Sequence, residues 1–208
     1  TKGITRPNFV VPRTAHPAFS RAGHALGIDV RRVPTTRNDF KADVGAIASK
    51  IDDNTIGLVG SAPCYPFGVF DPIRELGALA EARGLWLHVD ACVGGFLSPY
   101  VKRLGHPVPD WDFSVPGVTS ISADLHKHGM AAKGASLMML RSKELKEKYQ
   151  TFDFREWERG PYVAWTMQGT RPGGAVAAAW ATLQHLGDEG YMRCARMIMD
   201  NKKALVGG

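Results

Sequence analysis

The sequence predicts an α/β fold: a mainly parallel β-sheet with helices flanking it. Three observations carry that expectation. Short β-rich runs recur at roughly thirty-residue intervals with helical spacing between them, the rhythm of βαβ units. No internal repeat and no low-complexity linker interrupts that rhythm. An apolar run over 85–89 ends in an acid, Asp90, and active residues of such sheets gather at the carboxyl ends of strands.

Taken in order, residues 8–12 give a short strand signal. Residues 14–26 follow as a helix, with Thr14 or Ala15 near its start. Residues 28–33 alternate apolar and polar, as a half-buried strand does. Phe40, Val44, Ile47 and Ile51 fall at helical spacing, which predicts a helix over 40–51. Residues 55–59 are the next β-rich run, and a loop over 60–70 follows. Asp71-Pro72 predicts a helix start, with the acid as N-cap and proline in the first turn. Ile73, Leu76, Leu79 and Ala80 form its apolar face and Gly84 stops it. A strand over 85–89, another over 119–122, an apolar run over 135–140 and a helix-like segment over 172–186 complete the pattern.

The 208 residues suffice for one sizeable core, or for one domain with part of another. With 44% hydrophobic and 22% charged residues the chain has the composition of a folded domain rather than a disordered one. The apolar runs are far shorter than a membrane span, and TKGITRPNF lacks the apolar core of a signal peptide. The net charge of +6 suits an anionic ligand, but the basic residues are scattered, which argues against a nucleic-acid partner. Cys64, Cys92 and Cys194 are odd in number and have no CxxC spacing, so neither a disulfide framework nor a zinc site is expected. A reducing cytoplasm is the expected location.

Chemistry concentrates in TSISADLHKHGMAAKGAS, residues 119–136. Its centre is His126-Lys127, set between a short strand and a Gly-punctuated loop. A lysine at the mouth of a sheet is partly desolvated, which lowers its pKa and frees its amine for imine chemistry. Upstream, LHVDA places Asp90 at the end of a strand, followed by the Gly94-Gly95 pair. A strand-end acid followed by a lysine loop suggests pyridoxal phosphate, with the lysine as its Schiff-base residue and the acid as partner of its ring nitrogen. Taken singly, Asp90 reads equally as a cap or salt-bridge residue, His16 as a cap, and Asp124 as a turn residue. Lys133 reads alone as a solvated loop lysine, and Cys92 as a buried structural thiol.

Five motifs in order carry a more specific likeness: TAHPAF (14–19), GSAPCYPFG (60–68), HVDACVGGF (88–96), VPGVTSISADLHKHGMAAKG (115–134) and QGTRPGG (168–174). The chain resembles the pyridoxal-phosphate-dependent group II decarboxylase family and, within it, the sphingosine-1-phosphate lyase branch. The resemblance implies the large domain of fold type I, the aspartate aminotransferase-like fold. Residues 1–186 would be its central part, and 187–208 would begin the connection to a small C-terminal domain. It also implies that relatives carry a phosphate-cradling turn before this region, which leaves a catalytically incomplete fragment as one alternative.

By the same resemblance Lys127 is the Schiff-base lysine. His16 stacks on the cofactor ring, Asp90 pairs with its nitrogen, and Ala91 and Cys92 lie beside it. His126 donates to the phosphate together with Ser120 or Ser122. Tyr65 and Lys133 assist proton transfer at a hydroxyl-bearing carbon. Gly169, Thr170 and Arg171 form a loop that reaches the cofactor of a neighbouring subunit, which implies a homodimer with shared sites. The implied reaction cleaves a phosphorylated sphingoid base to a fatty aldehyde and phosphoethanolamine. The alternative is decarboxylation of an amino acid with the same apparatus.

Overall fold

The computed structural model describes residues 3–207. Its centre is a six-stranded sheet in the order β2-β1-β3-β4-β5-β6. The strands are β1 (Asn8–Pro12), β2 (Asp29–Val33), β3 (Thr55–Ser61), β4 (Trp86–Asp90), β5 (Val118–Ala123) and β6 (Leu137–Leu140). The first five run parallel, and β6 closes one edge antiparallel to β5. A small two-stranded ribbon, β7 (Phe152–Phe154) and β8 (Tyr162–Ala164), lies outside it. The α/β expectation holds.

The central strands are covered on both faces, as parallel sheets require. On one side Leu58, Leu87, Val89, Val118 and Ile121 pack with Ile73, Leu76 and Ala80 of α3 (Ile73–Arg83). On the other side Val11 and Val59 meet Phe19 of α1 (Ala18–Leu26). A third apolar cluster, Leu125, Ala135, Ala179 and Leu183, joins the lysine-bearing loop to α6 (Gly174–Gly207), which follows the one-turn α5 (Lys143–Leu145). That helix breaks at Gly187, whose φ of 54° and ψ of −171° lie outside the helical region. Its second half packs against α4 (Ser98–Arg103), with Tyr191 stacked on Tyr100.

Three local expectations give way to different structures. The helix expected over 14–26 starts only at Ala18, because residues 13–17 form a turn fixed from outside. Arg32 of β2 donates to the carbonyls of Arg13, Ala15 and His16. The helix expected over 40–51 is only α2 (Val44–Ala48). Phe40 sits at a φ of 58°, and Thr35 bridges Ala42, so the chain turns before the helix. Asp43 then caps it by accepting from the Ala46 amide at 2.9 Å. The apolar spacing was real, but Phe40 belongs to a turn and stacks on Phe67 instead.

The third correction concerns Asp71. It does not cap α3; Pro72 takes the N-cap position without a side-chain bond. The buried Asp71 carboxylate instead accepts from the Ser61 and Ala42 amides, both at 2.7 Å. It thereby ties the end of β3 to the segment before α2. Burial outweighs those two bonds and raises its pKa to about 6. Among the described residues no helix is long and apolar enough to cross a membrane, and no cluster of His, Cys, Asp or Glu is placed to hold a metal.

Candidate active site

A cleft of about 260 Å³ opens at the carboxyl ends of β3, β4 and β5. The turn after β1 contributes His16 to it. The ends of the three strands contribute Ser61, Asp90 and Ser122, and the following loops add Tyr65, Cys92, Asp124 and Lys127. Six of the expected site residues therefore meet in one place: His16, Tyr65, Asp90, Cys92, Ser122 and Lys127.

The cleft's walls are set by packing. Gly94 passes so close to the Ala62 carbonyl that a Cβ there would lie 2.2 Å from the oxygen, so only glycine allows this approach. The lysine loop is pinned from both sides. His128 Nδ1 lies 2.8 Å from the Val93 carbonyl, and Tyr191 of α6 donates to the Gly129 carbonyl at 2.7 Å. His16 accepts from the Ala18 amide through Nδ1 at 3.1 Å, which orients the ring at the start of α1. Tyr65 stands 78% exposed at the cleft's mouth, so its hydroxyl is free to meet an incoming molecule.

Lys127 departs from the expectation that desolvation frees its amine. Burial does act downward, but the Asp124 carboxylate, 2.7 Å away, outweighs it, and the ammonium is held above the usual lysine value. Asp124 is itself buried and also accepts from the Ser136 hydroxyl. Burial pushes its carboxyl upward, but the bonds from Lys127 and Ser136 prevail and keep it ionised. Sequence reading left this residue unassigned. Its distance from Lys127, three positions along a loop, carries no contact signal of its own.

Asp90 has two unlike oxygens. Its Oδ1 accepts from the Cys92 amide at 3.1 Å and from the Ser122 hydroxyl at 3.4 Å. Its Oδ2 makes no hydrogen bond among the described residues. Cys92 is pushed up to about 12 by burial and by the Asp90 charge, so it is a neutral thiol rather than a reactive thiolate.

The other expected residues lie elsewhere. Ala91 is fully buried beneath the cleft. Ser120 is also fully buried, bonded to Trp86 Nε1 at 2.7 Å and to His88 Nδ1 at 2.8 Å. Ser122 reaches the cleft, but its hydroxyl is engaged by His88, Cys92 and Asp90. The expectation that one of these serines donates to a phosphate thus meets two hydroxyls already committed inside the protein. His126 bonds the Ala135 carbonyl through Nδ1 at 2.8 Å. Lys133, Gly169, Thr170 and Arg171 line a second cleft, beside the start of α6. Tyr65 and Lys133 are therefore not brought together within this chain. Sequence reading missed His88, which sits two residues before Asp90 on the same strand face.

A lysine amine and a carboxylate with one oxygen outside any hydrogen bond among the described residues share one cleft, and that pair fits pyridoxal phosphate, which takes a lysine for its aldehyde and an acid for its ring nitrogen. The fold and this site define an α/β domain of the type that holds that cofactor. The chain belongs to the pyridoxal-dependent decarboxylase family, whose conserved domain matches residues 2–207. It is 47% identical over 207 residues to a sphingosine-1-phosphate lyase of Arabidopsis thaliana, covering 100% of this chain and 38% of the relative. An L-aspartate/L-glutamate decarboxylase of Pyrococcus horikoshii is 42% identical over 203 residues, covering 94% of this chain and 51% of the relative. Among solved structures, the sphingosine-1-phosphate lyase of Burkholderia pseudomallei superposes with a TM-score of 0.89 at 43% identity. That match covers 94% of this chain and 44% of the other. The fold is thus fold type I, and the chain spans 38% of the length of the plant lyase it matches.

Proposed function

We propose that the protein is a pyridoxal-phosphate-dependent carbon–carbon lyase acting on a phosphorylated sphingoid base. The observation that carries this reading is the single cleft holding Lys127, Asp90, His16 and Tyr65. The likeness to lyases at 43–47% identity supports it. When bound, pyridoxal phosphate supplies an aldehyde for an amine and a protonated ring that accepts an electron pair.

Around that group each residue has one task. Lys127 supplies the amine that holds the cofactor, once its proton has been released. Asp90 Oδ2 would keep the ring nitrogen protonated, and the His16 imidazole and Cys92 would contact the ring, with the small Ala91 buried behind them. A base beside Tyr65 and Lys133 would take the proton from the substrate hydroxyl, with the Tyr65 hydroxyl assisting the transfer. The bond between the amine- and hydroxyl-bearing carbons breaks, leaving an aldehyde and, after protonation of the amine-bearing carbon, phosphoethanolamine.

The complete protein works as a homodimer on this reading. Gly169, Thr170 and Lys133 line a second cleft whose lining does not include Lys127, which supports a role towards a neighbouring subunit. There the Gly169–Thr170 amides would meet a phosphate beside His126, and Lys133 would assist the proton transfer. The proposed division of the chain at 186/187 is supported by the non-helical Gly187. The cytoplasm suits its three unpaired cysteines.

The second reading, an amino-acid decarboxylase, is favoured by the 42% identity to the archaeal enzyme. Borohydride treatment with pyridoxal phosphate should fix the cofactor on the Lys127 peptide, and the full-length protein should release a fatty aldehyde from a phosphorylated sphingoid base. Carbon dioxide from aspartate or glutamate, with no aldehyde from the sphingoid base, would give the case to the decarboxylase. Labelling at Lys133 would remove Lys127 from its role.

A further inference from the structure

His88 is a partly buried ionisable side chain that none of the steps above uses. It lies on the same strand face as Trp86 and Asp90, because alternate residues of a strand share a face. Opposite it on β5, Ser120 pairs with His88 and Ser122 with Asp90. Five polar side chains thus stand in one row along two adjacent strands.

The direction of each bond in that row follows from what its members can donate. Trp86 Nε1 is only a donor, so Ser120 Oγ accepts from it at 2.7 Å. The Ser120 hydroxyl is then free to donate to His88 Nδ1, 2.8 Å away. That leaves the His88 proton on Nε2, which donates to Ser122 Oγ at 3.1 Å. Ser122 also accepts from the Cys92 thiol at 3.3 Å, so both of its acceptor positions are filled. Its single hydrogen is directed to Asp90 Oδ1 at 3.4 Å. Reversing the Ser120–His88 bond would leave the Ser120 hydrogen without an acceptor in a fully buried place, which is costly.

We propose that Trp86, Ser120, His88 and Ser122 form a one-way hydrogen-bond chain ending on Asp90 Oδ1, with His88 as the positioning residue that leaves Oδ2 alone facing the cleft. The inference rests on the reading of Asp90 as partner of the cofactor's ring nitrogen. A carboxylate with one oxygen bound by Ser122 and the Cys92 amide cannot rotate freely, so its other oxygen is held for a donor in the cleft. The environment keeps His88 uncharged as the chain requires: burial lowers its pKa to about 4, against a smaller opposite pull from Asp90. Phe19 closes the space beside it, edge-on at 5.8 Å.

Two measurements test it. Nitrogen NMR on the cofactor-free protein should find His88 neutral at pH 7, with its proton on Nε2. A proton on Nδ1, or a charged ring, would overturn the chain whatever the cofactor does. Equilibrium binding of pyridoxal phosphate should then weaken about tenfold in Ser122→Ala and in His88→Leu, the scale of one hydrogen bond to a charged group. The double variant should also lose about tenfold, because both changes break the same chain. A hundredfold additive loss, or unchanged affinity in Ser122→Ala, would overturn the proposal. His88→Gln, which keeps a donor and an acceptor, should recover part of the affinity lost in His88→Leu; no recovery would reduce His88 to packing. Should the wild-type protein fail to form a borohydride-fixable adduct at Lys127, the functional reading falls while the NMR result still decides the chain.

Discussion

The Lys127 ammonium lies 2.7 Å from the Asp124 carboxylate, which is itself buried and bonded by Ser136. This pair sets the state of the amine before any cofactor arrives. An amine must shed its proton before it can attack an aldehyde, and Asp124 opposes that loss. Asp124→Asn should therefore speed adduct formation with pyridoxal phosphate at pH 7 by roughly two- to fivefold, the scale of a partly screened ion pair. Borohydride trapping at timed intervals measures it. A slower rate in the variant would mean that Asp124 helps the attack rather than restraining the amine.

Asp71, which is buried, and His88, which is partly buried, should oppose each other in acid. Asp71 has a folded pKa of about 6, above its ordinary 3.8, so between those values the fold holds a proton that the unfolded chain releases. Acidification through that window favours folding. His88 has a folded pKa of about 4, below its ordinary 6.5, so there the unfolded chain holds the extra proton and acidification disfavours folding. Over pH 4–6 the two contributions offset. Asp71→Asn should expose the His88 loss, on the order of 2–3 kcal/mol between pH 6.5 and 4. Urea melts across that range measure it, and an equally steep loss in the wild type would refute the offset.

Tyr65 at the cleft mouth and Lys133 on the second cleft are assigned the proton transfers at the hydroxyl-bearing carbon. Tyr65→Phe and Lys133→Ala should leave the cofactor adduct intact and lower turnover by about 10²–10⁴-fold, the usual worth of a general acid or base. Stopped-flow absorbance and aldehyde release separate the two effects. Loss of the adduct itself would assign these residues to cofactor binding.

If the sites are shared between subunits, as proposed, inactive variants should complement each other. Lys127→Ala and Arg171→Ala, each inactive alone, should recover part of the activity when mixed in verified heterodimers. One of the two clefts in such a dimer would combine an intact lysine with an intact loop. No recovery would mean that the Gly169–Arg171 loop serves its own subunit.

The βαβ rhythm, the strand-end position of Asp90 and the loop position of Lys127 are legible in the amino-acid sequence alone. Each of these is local: strand and helix periodicity, and the end of an apolar run, are written within a few neighbouring residues. Phe40 shows the limit of that reading, since its apolar spacing continued a helix that a left-handed backbone and the Asp43 cap confined to 44–48. Asp71 shows the same limit, because its partners Ala42 and Ser61 are remote in the chain.

The row of side chains behind the cleft depends instead on how two strands pair. Leu87 pairs with Val118, but His88 pairs with Ser120, so the register slips past Thr119. Without that slip His88 would stand opposite Thr119, and Asp90 opposite Ile121. A one-residue shift turns every following side chain to the other face of the sheet. Strands some thirty residues apart carry no local mark of their register, so the meeting of Ser120 with His88 and of Ser122 with Asp90 is fixed by how β4 and β5 pack, and not by either segment alone.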